Sequence, residues 1–298
     1  MTIRWGVSPI AWCNDDMKEL GADTTLDMLL TDVKEIGFDG VELGNKFPRD
    51  PETLAPIMAS YGLDVVGGWY SANLLKHDAD AEIAGLGKHL ALLEYMESSV
   101  FILAETSNAV HCDRWGSRLD QHPVLAAGDW KQFGERLNKV ASYVNGRGLR
   151  FAYHHHIGTV VETDDELNRF FDATGDHVGL VLDTGHAIPG GIDPIRVIKE
   201  RPERISHVHC KDVRQAKYDE FRANGTSFLN GVVGGMFTTP GDGDYAYEPF
   251  MRALKDMDYS GWIVIEAEQD PAVANPREYS QLGLDTLKRL AADVELVA

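Results

Sequence analysis

Eleven histidines stand in this chain, and three of them are consecutive, in Tyr153-His154-His155-His156. Asp183-Thr184-Gly185-His186 follows, then His207-Val208-His209-Cys210-Lys211-Asp212, then Glu266-Ala267-Glu268. Imidazole and carboxylate donors in one mixed set are ligand chemistry for Mn²⁺, Co²⁺, Fe²⁺ or Zn²⁺. The same groups serve as general acids and bases. Three cysteines, Cys13, Cys112 and Cys210, show no zinc-finger spacing. Their odd number and wide separation imply no disulfide framework, which fits a reducing cytosol.

Each of the four groups closes a short apolar run that reads as a strand, and helical patterns lie between the runs. Strands that alternate with helices and carry their chemistry at the C-terminal end build a (β/α)₈ barrel. Strands are expected at Ile3 to Trp12, around Val41, at Asp64 to Tyr70 and at Val100 to Thr106. Four more follow, ending at His156, Asp183, Asp212 and Glu268. Helix signals separate them: Thr24 or Thr25 before Leu26, Asp50-Pro51, Thr163 with Glu166 in a capping box, and Asp193-Pro194. Two long stretches, Ser107 to Pro123 and Arg214 to Pro240, have the length of functional lids and are expected over the strand C-terminal ends. With no linker or low-complexity tract, residues 1–298 read as one α/β barrel domain.

Side chains alternate faces along a strand. His154 and His156 therefore share the inward face with Ala152, whereas His155 points to the helices. On the later strands His207, His209 and Lys211 share a face, as do Val264, Glu266 and Glu268. Three successive histidines cannot all ligate one ion. The bland readings are that Glu42 and Glu105 are rim hydrogen-bond acceptors, Glu268 a loop carboxylate and Trp69 a core residue. Convergence of ligand types on four consecutive strand ends favours a metal site.

The chain has 298 residues, 44% of them hydrophobic, enough for a large single core, and a formal charge of −19. That charge opposes binding to nucleic-acid phosphates or anionic membranes. No apolar run approaches the ~20 residues of a bilayer-spanning helix. Met1 to Trp5 runs into a strand without the layout of a signal peptide, so a cytoplasmic protein is expected. The expected partner is a small polyol or keto-sugar, and a homo-oligomer stays open.

Asp183-Thr184-Gly185-His186, His207 to Asp212, Pro240-Gly241-Asp242-Gly243-Asp244 and Tyr259 to Glu266 resemble the xylose-isomerase-like barrel superfamily of sugar isomerases, epimerases and dehydratases. The resemblance spans essentially the whole chain. Gly6 to Trp12, Tyr153 to Thr159 and Glu266 to Pro271 are most similar to the inosose (2-keto-myo-inositol) dehydratases of bacterial inositol catabolism. The resemblance implies a Mn²⁺- or Co²⁺-dependent hydro-lyase with glutathione as an accessory cofactor. It assigns Asp183, His209 and Glu266 as metal ligands and His186 as a substrate-binding histidine. His154 stands where sugar epimerases carry a Glu that is both ligand and base, so it is expected beside the ion. Catalysis is expected from Glu266, His156 and His186, with His156 as the acid that expels the hydroxyl. Lys211, Trp69 and Glu105 are expected to contact substrate. The rivals are a ketose 3-epimerase or sugar isomerase, a non-catalytic sugar-binding barrel, and an abasic-site endonuclease, the last disfavoured by the acidic charge.

Overall fold

In the computed structural model, which describes residues 2–297, the chain begins with β1 (Ile3–Val7), α1 (Leu26–Ile36), β2 (Gly40–Leu43), α2 (Pro51–Tyr61) and β3 (Asp64–Ala72). It continues through α3 (Ala79–Tyr95), β4 (Val100–Glu105), α4 (Trp130–Gly146), β5 (Arg150–His154), α5 (Asp164–Ala173) and β6 (Gly179–Asp183). Next come α6 (Thr184–Ala187), α7 (Pro194–Glu200), β7 (Ile205–Cys210), β8 (Asp212–Val213), α8 (Gln215–Ala223) and α9 (Phe228–Val233). The chain ends with β9 (Phe237–Thr238), α10 (Tyr247–Asp256), β10 (Gly261–Ile265) and α11 (Pro276–Asp293).

The strands β1-β10-β7-β6-β5-β4-β3-β2 close into a barrel, and every barrel pairing is parallel. The fold is thus the expected TIM barrel. Helix boundaries follow local chemistry. Thr25 Oγ1 accepts the Met28 N–H at 3.2 Å at the start of α1, and Thr163 and Glu166 cap each other's backbone before α5. Gly37 and Gly62, both left-handed, stop α1 and α2.

Four strands end at least two residues earlier than the sequence suggests, β5 at His154 among them. β1 stops at Val7 because Pro9 lacks an N–H and opens a 3₁₀ turn over Pro9–Ala11. β7 stops at Cys210, and Asp212–Val213 instead pairs antiparallel with Phe237–Thr238. β10 stops at Ile265, which puts Glu266 and Glu268 on the chain just beyond the barrel.

Strand alternation divides the core in two. Ile263 and Ile265 pack outward among the helices, while Trp262 and Val264 join Val66, Val100, Ile102, Ala152 and Val181 inside the barrel. Trp262 is 4% exposed, and a Cβ on Gly40 would approach its ring to 2.8 Å, so only glycine fits there. Truncating Trp262 to Ala would cost about 3–5 kcal/mol. This packed floor leaves the next layer, His154, Asp183, His209 and Glu266, as the bottom of an open mouth.

The two long stretches cover that mouth. Leu119, Phe228, Leu229 and Phe237 share one apolar cluster with Ile157, just after β5, and Val213, just after β7. The Leu119 N–H donates to the Thr226 carbonyl at 2.8 Å, tying one stretch to the other. Arg214 to Pro240 holds α8, α9 and β9.

Candidate metal centre and active site

Parallel register sets the four strand ends side by side. Asp183 pairs with His209 across β6 and β7, and Val264, two residues before Glu266, pairs with His209 across β10 and β7. His154 is two residues lower in register, opposite Val181. His154, Asp183 and His209 bring ligand atoms within 4.8 Å of one another, as do Asp183, His186 and Glu266.

Asp183, His154 and His209 are each held by one polar atom, which leaves the other turned towards the centre. Asp183 Oδ1 accepts the Gly185 and His186 N–H groups at 2.7 and 3.1 Å. Its Oδ2, fully buried, has no hydrogen-bond partner among the described residues. The His154 Nδ1–H donates to the His155 carbonyl at 2.6 Å, which leaves Nε2 facing Asp183 Oδ2 at 3.5 Å. The His209 Nε2–H donates to Glu42 Oε1 at 2.9 Å. Its Nδ1 lies 2.9 Å from Glu266 Oε2 without hydrogen-bond geometry, and 3.6 Å from Asp183 Oδ2.

An orphaned buried carboxylate oxygen is costly. Here it converges with two imidazole nitrogens and a second carboxylate, the donor set a divalent cation needs. The residues fit the ion that the sequence implies. The second layer fits as well, because a ligating imidazole normally gives its other N–H to a carboxylate or carbonyl. Glu42 and the His155 carbonyl fill those places. Burial alone would raise the Glu42 carboxyl, but His209 and His207 beside it hold it well below the usual range. For His209, burial opposes protonation, yet Glu42 and its other carboxylate neighbours push it well above its ordinary value. A proton and a cation therefore compete for this imidazole.

Lys211 and His186 lie deeper than expected. Lys211 is fully buried, its Nζ 2.5 Å from Glu266 Oε1, 2.9 Å from Glu268 Oε2 and 3.0 Å from His186 Nε2. A Cβ on Gly185 would come within 2.5 Å of its chain, so that glycine makes room for it. Its Nζ lies between the two carboxylates and the His186 ring. The His186 ring lies 3.7 Å from that of His156. Glu105 is fully buried, and its oxygens accept the Leu74 and Ser107 N–H groups at 2.6 and 2.7 Å, which ties two loops to the end of β4. His155 is buried away from the mouth as expected, its ring pushed down to about 3 by burial and by His154.

Above the floor is a cavity of about 330 Å³ lined by His154, His156, His209, Glu266, Glu268 and Trp69, among others. The Trp69 Nε1–H donates to Ser71 Oγ at 2.8 Å, leaving its ring, beside those of His154 and His156, on the wall. The His156 Nδ1–H donates to the Ile157 carbonyl at 2.7 Å, so Nε2 carries the lone pair. Burial, with His111 and His154 nearby, lowers the ring well below its ordinary value. Both features favour the neutral ring, with the Nε2 lone pair available to accept a proton. Glu268 is the group the sequence reading undervalued. Burial and Glu266 raise it against the pull of Lys211, to about 7, and it lines the same cavity. The signal was its parity with Glu266.

Residues 30–290 match the family described as xylose isomerase-like TIM barrel. The chain belongs to that family. Among its relatives is the rhizopine catabolism protein MocC of Rhizobium meliloti, 39% identical over 98% of this chain and 90% of the relative. An inosose dehydratase of Lacticaseibacillus casei is 39% identical over 94% of both chains. A solved structure of the IOLI protein with a binding zinc atom superposes with a TM-score of 0.68 at 14% identity, covering 98% of this chain and 99% of that one. That last likeness concerns the fold alone. Among the described residues, no helix of this family member is long and apolar enough to cross a membrane.

Proposed function

We propose that this chain is a hydro-lyase that removes water from 2-keto-myo-inositol, giving a trihydroxycyclohexane-1,2-dione. The observation that carries the reading is the identity, 39% over 94% of each chain, to an inosose dehydratase. The buried donor set supports it chemically. Asp183, His209, Glu266 and His154 would hold one divalent cation, Mn²⁺ or Co²⁺ being the metals proposed. Bound there, it supplies Lewis acidity to the ketone and the adjacent hydroxyl.

The residues around the cavity divide the proton transfers. His156 Nε2 takes the proton from the carbon next to the ketone. The β C–O bond then breaks, and the Glu268 carboxyl gives its proton to the departing oxygen, which leaves as water. The enol left behind tautomerises to the dione. Lys211 and His186 fix the carboxylate and imidazole that do this, and Trp69 offers an apolar face to the ring. The roofing stretches exclude water from the enolate. Glutathione is retained as an accessory cofactor, and the three free cysteines support a reducing, cytosolic setting.

The identity to the rhizopine catabolism protein, over 98% of the chain, favours a second reading in which the substrate comes from rhizopine breakdown. Mass spectrometry after incubation with 2-keto-myo-inositol and Mn²⁺ separates the two. Loss of one water from the substrate supports the first reading. Unchanged substrate with a correctly loaded enzyme removes it.

A further inference from the structure

The loop after β1 and the loop after β4 meet at the rim of the cavity. Asp16, His111 and Cys112 each bring a ligand-type atom within 4.8 Å of the other two, and all three line the cavity. The Cys112 Sγ–H donates to Asp16 Oδ1 at 3.2 Å. His111 is only 4% exposed, and its Nδ1 has no hydrogen-bond partner among the described residues. A buried imidazole normally satisfies that nitrogen, and an unpartnered one on a ring clustered with a thiol and a carboxylate points to a ligand.

The donors are held in place by their backbones. Asn14 Oδ1, fully buried, accepts the Asp16 and Met17 N–H groups at 2.8 and 2.7 Å. On the other loop, the Val110 N–H donates to the Gly158 carbonyl at 2.9 Å. Gly158 has φ of +80°, and a Cβ there would lie 2.9 Å from the His111 nitrogen, so the His111 backbone is seated against a position that favours glycine. Neither loop needs to reorganise to present its donors.

We propose that Asp16, His111 and Cys112 form a second divalent-cation site, of the Zn²⁺ class, at the cavity mouth. Thiolate, imidazole and carboxylate together are a zinc donor set, whereas the strand-end centre offers no thiolate. Binding breaks the Cys112 S–H bond, releases its proton to solvent and replaces the contact to Asp16 with a sulfur–metal bond. Three protein ligands leave the fourth tetrahedral position to water or to a substrate oxygen in the cavity. The ion also ties the β1 loop to the lid, narrowing the entrance. None of the three donors is used in the proposed dehydration, so the site stands or falls apart from that reading.

The test uses the full chain preloaded with Mn²⁺ and titrated with Cd²⁺. One equivalent should produce a thiolate-to-metal absorption in the ultraviolet and slow iodoacetamide labelling of Cys112 at least tenfold. Cys13 and Cys210, 1% and 0% exposed, do not contribute. Cys112→Ser should lack the band, while Asp16→Asn and His111→Gln, which keep the thiol, should each weaken Cd²⁺ at least tenfold. No band and unprotected labelling in the parent protein would overturn the site. So would a band that survives Cys112→Ser, or full-strength protection in Asp16→Asn and His111→Gln.

Discussion

Glu42→Gln isolates what the second layer does for the metal centre. Glu42 Oε1 accepts from His207 Nε2 and His209 Nε2, both at 2.9 Å, with the side chain 8% exposed. Hydrogen bonds to a charged group are worth about 1.5–3 kcal/mol each, and neutral ones roughly half as much. Glutamine keeps the shape and one acceptor oxygen but loses the charge that holds the His209 ring with Nδ1 towards Asp183 and Glu266. Second-layer losses of this kind lower metal affinity about 10–100-fold, or about 1.4–2.7 kcal/mol. Calorimetric titration of apo-protein with Mn²⁺ at mildly alkaline pH, where competition from the His209 proton is least, should show a drop in that range with stoichiometry still at one. A Glu42→Gln affinity within about twofold of the parent would refute the claim that Glu42 orients the ligand.

Asp183→Ala or His209→Ala should abolish stoichiometric Mn²⁺ binding, read by elemental analysis after desalting, and turnover with it. His156→Ala should keep the metal but lose α-proton exchange and elimination together; persistent exchange would return His156 to the role of acid. Glu268→Gln should keep exchange and slow elimination by about 10²–10⁴-fold, the usual range for losing an acid. His122 pairs with Glu166 at 2.9 Å; the pair raises the imidazole and, against burial, lowers the carboxyl. The imidazole's contribution is complete below its unfolded value of about 6.5 and fades as pH rises through the higher folded one. The carboxyl's is complete above about 4.3 and fades as pH falls through its lower folded value. His122→Gln should therefore cost about 1 kcal/mol, about 2 °C in Tm, near pH 5.5 and less near pH 9, measured by thermal melts.

The barrel was legible because its two periods are strong: apolar strand bodies ending in ligand types, and capped helices such as α5 between them. Parity sorted the inward-facing side chains, since residues two apart on a strand share a face, whereas the choice of ligands among them came from the family resemblance. Depth was not legible. Lys211 lies just past the end of β7 and Trp69 three residues before the end of β3, yet Lys211 is drawn inward by Glu266, Glu268 and Asp183, while Trp69 stays on the wall. Glu105 is a strand-end carboxylate, but backbone N–H groups from two loops claim it. The His156 tautomer depends on the Ile157 carbonyl, a backbone contact that side-chain pattern does not encode. The rim cluster of Asp16, His111 and Cys112 joins residues 96 positions apart at its widest link, with no local periodicity to announce it.

Whether a metal held at this floor drives elimination or simple proton return is decided by ¹H NMR of 2-keto-myo-inositol in D₂O with the Mn²⁺-loaded protein, quenched and freed of metal before acquisition. Elimination gives loss of the α-proton signal together with growth of dione signals, both abolished by chelation. Deuterium incorporation with no dione would contradict it, leaving an epimerase or isomerase on the same site.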